Sequence, residues 1–584
     1  MKKLFLALIA IAAITAIALT GCKDKNDEPS QKTDPRQQYD CMVVGNIITM
    51  DEENPTAEAV VVQNGIIQFV GKRTDAEQYC TDKTQILDYG TASVYPGFIE
   101  GHVHGMEVAT RQFQLDLSEL DDDPQTQMWD FLAAIRAYVK ANDKFELYKG
   151  AGWTVHFGVQ PTRQMLDSIC STKPMIFTSV DGHSFWINTF AIEKYGVSKP
   201  ENIKKYGTDC IRVDALGYPT GYISEAAGDL VRPALTLTQQ EYMEGLRKWQ
   251  DMAFSYGITA VEEAALPISG TSIQEAFKAL DQSGEWKLRT YASEVVQHPT
   301  PDDVFYRDIN LIKQHYQQNH SEYFKIYGIK IFMDGVVESH TAWLLEPYKD
   351  APSYYGLQAF PNPDRITEAV AFANNNGMNA HFHCIGDAAI RTAVDAIIKA
   401  QNQTGIKDKR NTIAHLQIIK PEDIDKIAQN NIIPVVAPLW VPKDSDYFSH
   451  ELAYLGERAN TQYRIKSFFD KGCCVTFHSD YPVSPSISIP RTIYAAVTRT
   501  DERYGPSGIL NIDEAITREQ ALKALTVNVA YQLNEENRLG KLKVGYVANM
   551  SVFDADFLKD DMAKIYRAST IATIVDGQVV YGQK

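Results

Sequence analysis

Val94-Tyr95-Pro96-Gly97-Phe98-Ile99-Glu100-Gly101-His102-Val103-His104 is the stretch on which the reading of this chain turns. Apolar residues lead into a His-x-His pair. In an extended strand side chains alternate faces, so His102 and His104 point the same way and can grip one metal ion. With 13 histidines in 584 residues, chance alone supplies roughly 0.3 such pairs per chain, so the pair carries weight only if other residues complete a site. A second pair, His381-x-His383, occurs downstream.

Outward from that stretch, strand-like runs recur at Gly257–Val261, Leu288–Val295, Phe324–Met333, Met378–Cys384, Asn411–Gln417, Ile432–Ala437 and Cys474–Ser479, with helical patterns such as Ile366–Asn374 and Asp387–Gln401 between them. Apolar strands alternating with helices indicate a buried parallel sheet. With the first stretch there are eight such runs, and a (β/α)8 TIM barrel is the simplest architecture, its chemistry at the C-terminal ends of the strands. A doubly wound open sheet is the alternative, but no Gly-x-Gly-x-x-Gly follows a strand to support it. About residues 105–250 are too many for one strand-to-helix connection and are expected to form an inserted subdomain over the barrel mouth. Short strand patterns at Met42–Met50, Ala57–Val62 and Ile66–Val70, matched near the other end by Asn549–Asp554 and Ala572–Tyr581, suggest that both termini meet in one small β-sandwich.

The N-terminus has its own logic. Lys2 and Lys3, an apolar run from Leu4 to Leu19 and then Thr20-Gly21-Cys22 make a secretory signal, with Cys22 placed like the lipidated cysteine of a bacterial lipoprotein. Lys23–Gln38 is polar and is expected to be a tether. The division that follows is a signal peptide at 1–21, a tether at 22–38, a sandwich at 39–93, a barrel at 94–535 and the rest of the sandwich at 536–584. The expected location is the cell envelope, on the periplasmic or cell-surface face of a membrane. Loss of Lys2 and Lys3 moves the formal charge from −17 to −19, which argues against nucleic acid and leaves the lipid as the only membrane contact. A homodimer is left open. With 44% hydrophobic and 22% charged residues the chain is globular. Lipidation of Cys22 would leave seven of the eight cysteines, which cannot all pair with one another.

Ionisable groups recur at the strand ends: His102 and His104 in the first, Lys330 inside Gly328-Ile329-Lys330-Ile331-Phe332, then His383, His415 and Asp480. A lysine inside an apolar strand needs a reason, and a buried amine that takes up carbon dioxide offers two anionic oxygens. His381 shares a face with His383, and His478 with Asp480, so each pair contains a candidate ligand and a candidate supporting residue.

Pro96-Gly97-Phe98-Ile99-x-x-His102-x-His104, Gly328-Ile329-Lys330-Ile331-Phe332-x-Asp334-Gly335, His383-x-x-Gly386-Asp387, His415-x-Gln417 and Ser479-Asp480-x-Pro482 together resemble the amidohydrolase superfamily. Within it the chain is similar to the YtcJ-like metal-dependent hydrolases (amidohydrolase family 3), a group that includes N-substituted formamide deformylase. The resemblance extends to Asp181-Gly182-His183, with Trp186 and Asn188, and to Thr517–Leu522. It implies two divalent metal ions, expected to be Zn²⁺, with His102 and His104 on the first, His383 and His415 on the second, carbamylated Lys330 between them, and Asp480 as ligand of the first and general base. It further implies hydrolysis of a carbon–nitrogen bond, of amide or N-formyl type, in a small-molecule substrate by metal-activated water. Ring deamination or ester hydrolysis would use the same metals, and an inactive surface binding lipoprotein is the remaining alternative. Departures from the pattern are Glu100-Gly101 before the first histidine and Ala388 after Gly386-Asp387. Trp153, His183 and Trp186 in the insertion, with Trp343 beyond the fourth strand, are candidate substrate contacts.

Overall fold

The computed structural model describes residues 39–121, 127–154, 160–268, 272–297, 301–443 and 447–582. The expected signal peptide, Cys22 and the tether lie outside the described residues.

All eight expected strands are present and parallel: β1 (Phe98–Val103), β2 (Ile258–Leu266), β3 (Arg289–Val295), β4 (Phe324–Phe332), β5 (Asn379–Cys384), β6 (Thr412–His415), β7 (Ile433–Val436) and β8 (Thr476–Phe477). Their order in the sheet is the order of the chain, as right-handed strand–helix–strand connections require. Helices such as Gln239–Ser255, Pro363–Asn375 and Asp387–Thr404 bury one apolar face against the outside of the strands and form the largest core. At the N-terminal end the barrel is plugged by Tyr291, Tyr327, Val529 and Leu533.

Side chains complete the closure between β1 and β8. Gln532 donates from Nε2 to the Gly101 carbonyl (2.9 Å) and accepts at Oε1 from Thr476 Oγ1 (2.6 Å), while buried Glu100 accepts from the Ser479 amide (2.9 Å). A Cβ on Gly101 would come within 2.8 Å of the Phe477 carbonyl oxygen. The Glu100-Gly101 pair, a departure when read as sequence, is therefore what lets the two strands meet.

Seven further strands form one sheet in the order Gln578–Gly582, Thr570–Val575, Met550–Phe553, Gln85–Pro96, Cys41–Ile48, Thr56–Gln63, Ile66–Gly71. Its N- and C-terminal halves enclose a shared core that includes Val43, Val60, Leu87, Val552 and Ile574. The sheet runs to Pro96, three residues past the expected boundary at 93, and Gly97 alone separates it from β1. The insertion has its own six-stranded sheet between 115 and 224. It is shorter than the expected 105–250, because Gly105–Arg111 and Gln239–Ser255 pack into the barrel core through Val108, Leu246 and Trp249.

A Cβ on Gly97 would fall 2.2 Å from Thr259 Oγ1 and 2.9 Å from Thr259 Cβ. Thr259 is β-branched and held in β2, so it has little room to yield. Gly97→Ala is expected to cost about 1–3 kcal/mol, read as a lower thermal midpoint, and Thr259→Gly in the same chain should recover most of the loss. A Gly97→Ala protein as stable as the parent would contradict this close approach.

Candidate metal centre

The alternation that puts His102 and His104 on one face of β1 also turns them toward the residue that follows β8. His102 Nε2 lies 2.9 Å and His104 Nε2 3.1 Å from Asp480 Oδ1, and the two nitrogens are 3.4 Å apart. The loop is pinned in that position by backbone bonds, Asp480 N–H to the His102 carbonyl (3.2 Å) and His104 N–H to the Tyr481 carbonyl (2.8 Å). Asp480 takes a left-handed backbone conformation (φ +58°), a cost that non-glycine residues bear mainly at functional sites.

His415 ends β6 and also has a left-handed φ, +77°. One donor atom from each of His102, His415 and Asp480 lies within 4.8 Å of the others. His383 at the end of β5 comes next, its ring centroid 4.5 Å from that of His415 and its Nε2 3.2 Å from the Gly335 carbonyl oxygen. Lys330 is fully buried in β4, opposite His381 in register. Trp440 stacks on His415 with rings 10° from parallel and 5.1 Å apart, and donates its indole N–H to Ser484 Oγ (2.8 Å).

Burial dominates the electrostatics. It pushes the imidazoles of His102, His383 and His415 well below their ordinary pKa, reinforced by neighbouring cationic groups, so all three are neutral. Burial also brings Lys330 down to about 8, against the opposing charges of Asp480 and Glu262. For Asp480 burial favours the protonated acid, but the hydrogen bond and charge of His104 outweigh it and hold the carboxyl below its usual value.

These residues fit a divalent cation. Three donor atoms 2.9–3.4 Å apart match the edges, about 3.3 Å, of a tetrahedron built from bonds of about 2.0–2.1 Å. Among the described residues, Lys330 Nζ and both ring nitrogens of His415 and of His478 have no hydrogen-bond partner, although all are buried. Leaving such atoms unpaired is costly, and a bound cation is what neutral imidazoles and a carboxylate can share.

His183 reaches this cluster from the insertion. Asp181 accepts its backbone N–H (2.9 Å), Gly182 turns the chain with φ +74°, and the ring stands 5.2 Å from that of His383. Its Nδ1 pairs with Glu225 Oε2 at 3.0 Å. Burial disfavours the imidazolium, but the charge of Glu225 prevails and raises the pKa to about 9. The half-buried Trp343 lies against the same end of the barrel, its backbone N–H donating to Asp334 Oδ2 (2.9 Å).

Trp153 and Trp186 require correction as substrate contacts. Both are fully buried in the core of the insertion, and their indole N–H groups donate to the carbonyls of Phe177 (2.7 Å) and Thr162 (2.8 Å).

Glu225, Glu262 and Asp334 have no expected role in the sequence, yet the fold brings all three to this region. The Gly328–Gly335 motif contains Asp334, which accepts from the amides of Ile385 (3.0 Å), Gly386 (2.8 Å) and Trp343 and so ties the end of β4 to the end of β5. No local signal distinguished the other two.

Comparison with known proteins agrees with this geometry. The family model described as "Amidohydrolase family" matches residues 85–581. YtcJ of Bacillus subtilis (strain 168) is 28% identical over 546 residues, 92% of this chain and 98% of its own. N-substituted formamide deformylase of Arthrobacter pascens is 24% identical over 565 residues, 93% and 99% of the two chains. Among solved structures, an uncharacterized metal-dependent hydrolase from Pyrococcus furiosus superposes with a TM-score of 0.66 at 22% identity, over 89% of this chain and 100% of that one.

Zn²⁺ at 100 times its Kd should stabilise the metal-free protein by about 2.7 kcal/mol, measured as a rise in unfolding temperature. Asp480→Asn keeps the shape but removes the charge, and should forfeit most of that increment.

Proposed function

The chain belongs to the amidohydrolase family, and from that premise we propose that it is a metal-dependent hydrolase of small molecules that opens an amide or N-formyl carbon–nitrogen bond. The observation that carries this reading is the convergence of His102 Nε2, His104 Nε2 and Asp480 Oδ1, 2.9–3.4 Å apart, at the C-terminal mouth of the barrel, where such folds place their chemistry. His102, His104 and Asp480 would hold one cation, and His383 and His415 a second, with zinc the expected metal for imidazole-rich donors. Cations held by these residues would supply Lewis acidity, to polarise a carbonyl oxygen and to make water acidic enough to furnish a nucleophile near neutral pH.

Lys330 supports the two-cation form. With a pKa brought down to about 8 by burial, a share of its amine is uncharged at neutral to mildly alkaline pH. That is the form that adds carbon dioxide, and the resulting carbamate would give the two sites a shared anionic ligand. Asp480 takes the proton from the attacking water on its carboxylate and returns it to the leaving nitrogen. His183, held by Glu225 beside His383, and Trp343 would orient the acyl or amine portion.

N-formyl, N-acyl and cyclic amides offered to the purified protein should be turned over and should cease to be turned over after chelation, with activity restored by Zn²⁺. Turnover confined to esters or to aminated rings would redirect the assignment to those reactions. Lys330→Ala should retain the fold but lose most of its metal and activity; a variant that keeps both would sink the carbamate role. For the N-terminus, lipidation at Cys22 predicts that the wild type partitions with membranes and incorporates labelled fatty acid, and that Cys22→Ala does neither.

A further inference from the structure

His381 shares the inward face of β5 with His383, yet its surroundings differ. His381 is fully buried and both ring nitrogens are engaged: Nε2 lies 2.7 Å from His102 Nδ1, and Nδ1 lies 2.8 Å from Glu262 Oε1. Thr412 Oγ1 is also 2.8 Å from Nδ1 and shares that contact.

Glu262, on β2, is the far end of this chain of contacts and is also fully buried. Its Oε2 accepts from Gln532 Nε2 (2.6 Å) and the Tyr327 hydroxyl (3.3 Å), and its Oε1 from Ser293 Oγ (3.0 Å). An amide nitrogen can only donate, so Oε2 is an acceptor, and with Oε1 accepting from the Ser293 hydroxyl Glu262 meets its neighbours as a carboxylate acceptor. The polarity of the row then follows step by step. His381 donates from Nδ1 to Glu262, its Nε2 presents a lone pair, and His102 donates to it from Nδ1. This leaves the lone pair of His102 Nε2 facing Asp480 Oδ1 at 2.9 Å. Two lone pairs at that distance repel each other unless a cation stands between them.

We propose that Glu262, acting through His381, is a positioning group that fixes His102 in the Nδ1–H form and thereby makes its Nε2 a permanent donor to the metal centre. Carboxylates commonly orient a ligating histidine by direct contact; here a second imidazole is interposed, and the carboxylate is anchored from β3, β4 and the helix that carries Gln532. The proposal rests on the reading of His102 as a metal ligand.

Two measurements on the full chain, solubilised and freed of metal, test it. In protein labelled with ¹⁵N-histidine, long-range ¹H–¹⁵N correlation reports the tautomer of each ring. The expected result is His102 protonated on Nδ1 alone; protonation on Nε2 would make Asp480 an ordinary hydrogen-bond acceptor and overturn the relay. In Glu262→Gln the new amide can donate to His381 and reverse the row, so Zn²⁺ affinity, measured by competition with a chromophoric chelator, should fall about 10–100-fold while the metal-free unfolding midpoint changes little. An unchanged affinity at unchanged stability would refute the proposal. Should that variant fail to fold, His381→Gln, which retains an oxygen acceptor for His102, must bind zinc more tightly than His381→Leu; equal affinities would count against the relay. A wild type that holds Zn²⁺ tightly but carries the wrong tautomer overturns the relay alone, whereas a wild type that holds no Zn²⁺ overturns the metal reading with it.

Discussion

The organisation of this protein depends on one constraint, that buried imidazoles and carboxylates must have their lone pairs satisfied. Lys330, His415 and His478 are all sealed from solvent with ring or amine nitrogens that find no partner among the described residues. Protonation cannot resolve this for His102, His383 or His415, because burial drives their pKa values down. A shared divalent cation satisfies several of these lone pairs at once, and the fold can bear their desolvation because it brings them together. A cation held there would relieve the barrel interior of unpaired groups at the place where the fold gathers them.

The scaffold meets that condition by closing tightly just below the cluster. Gln532 and Glu100 join β1 to β8 at the level immediately beneath His102, and backbone bonds carry the seam on to Asp480. Glu262 is anchored by the same glutamine. Barrel closure and histidine positioning are therefore one network, and disturbing either should loosen the other. Strained backbone at His415 and Asp480 is borne where the surrounding bonds over-determine it.

Among the described residues, the insertion meets the cluster at His183. Most of its aromatic mass, Trp153 and Trp186 included, stabilises its own sheet. What it delivers to the barrel mouth is His183, set on a tight turn and fixed by Glu225, whose own backbone is left-handed at φ +51°. Loops and turns carried by a rigid scaffold commonly hold ligand-contacting residues, and His183 and Glu225 both sit on such turns.

By itself the sequence determined the elements that local chemistry controls. Period-two alternation put His102 with His104 and His381 with His383, apolar runs marked all eight strands, and a lysine within Ile-Lys-Ile announced an interior that is not purely apolar. These features need only neighbouring residues, because backbone geometry sets which way each side chain faces. The choice of His383 over His381 as a candidate ligand came from the family motif, and tertiary structure alone supplied the contacts that engage both ring nitrogens of His381. His381 meets His102 across 279 positions, and Glu262 sits unremarked in Ala-Val-Glu-Glu-Ala until the barrel curls β2 toward β5. The same holds for Trp153 and Trp186, since whether an aromatic ring is covered depends on what packs over it from distant parts of the chain, and no local pattern encodes that.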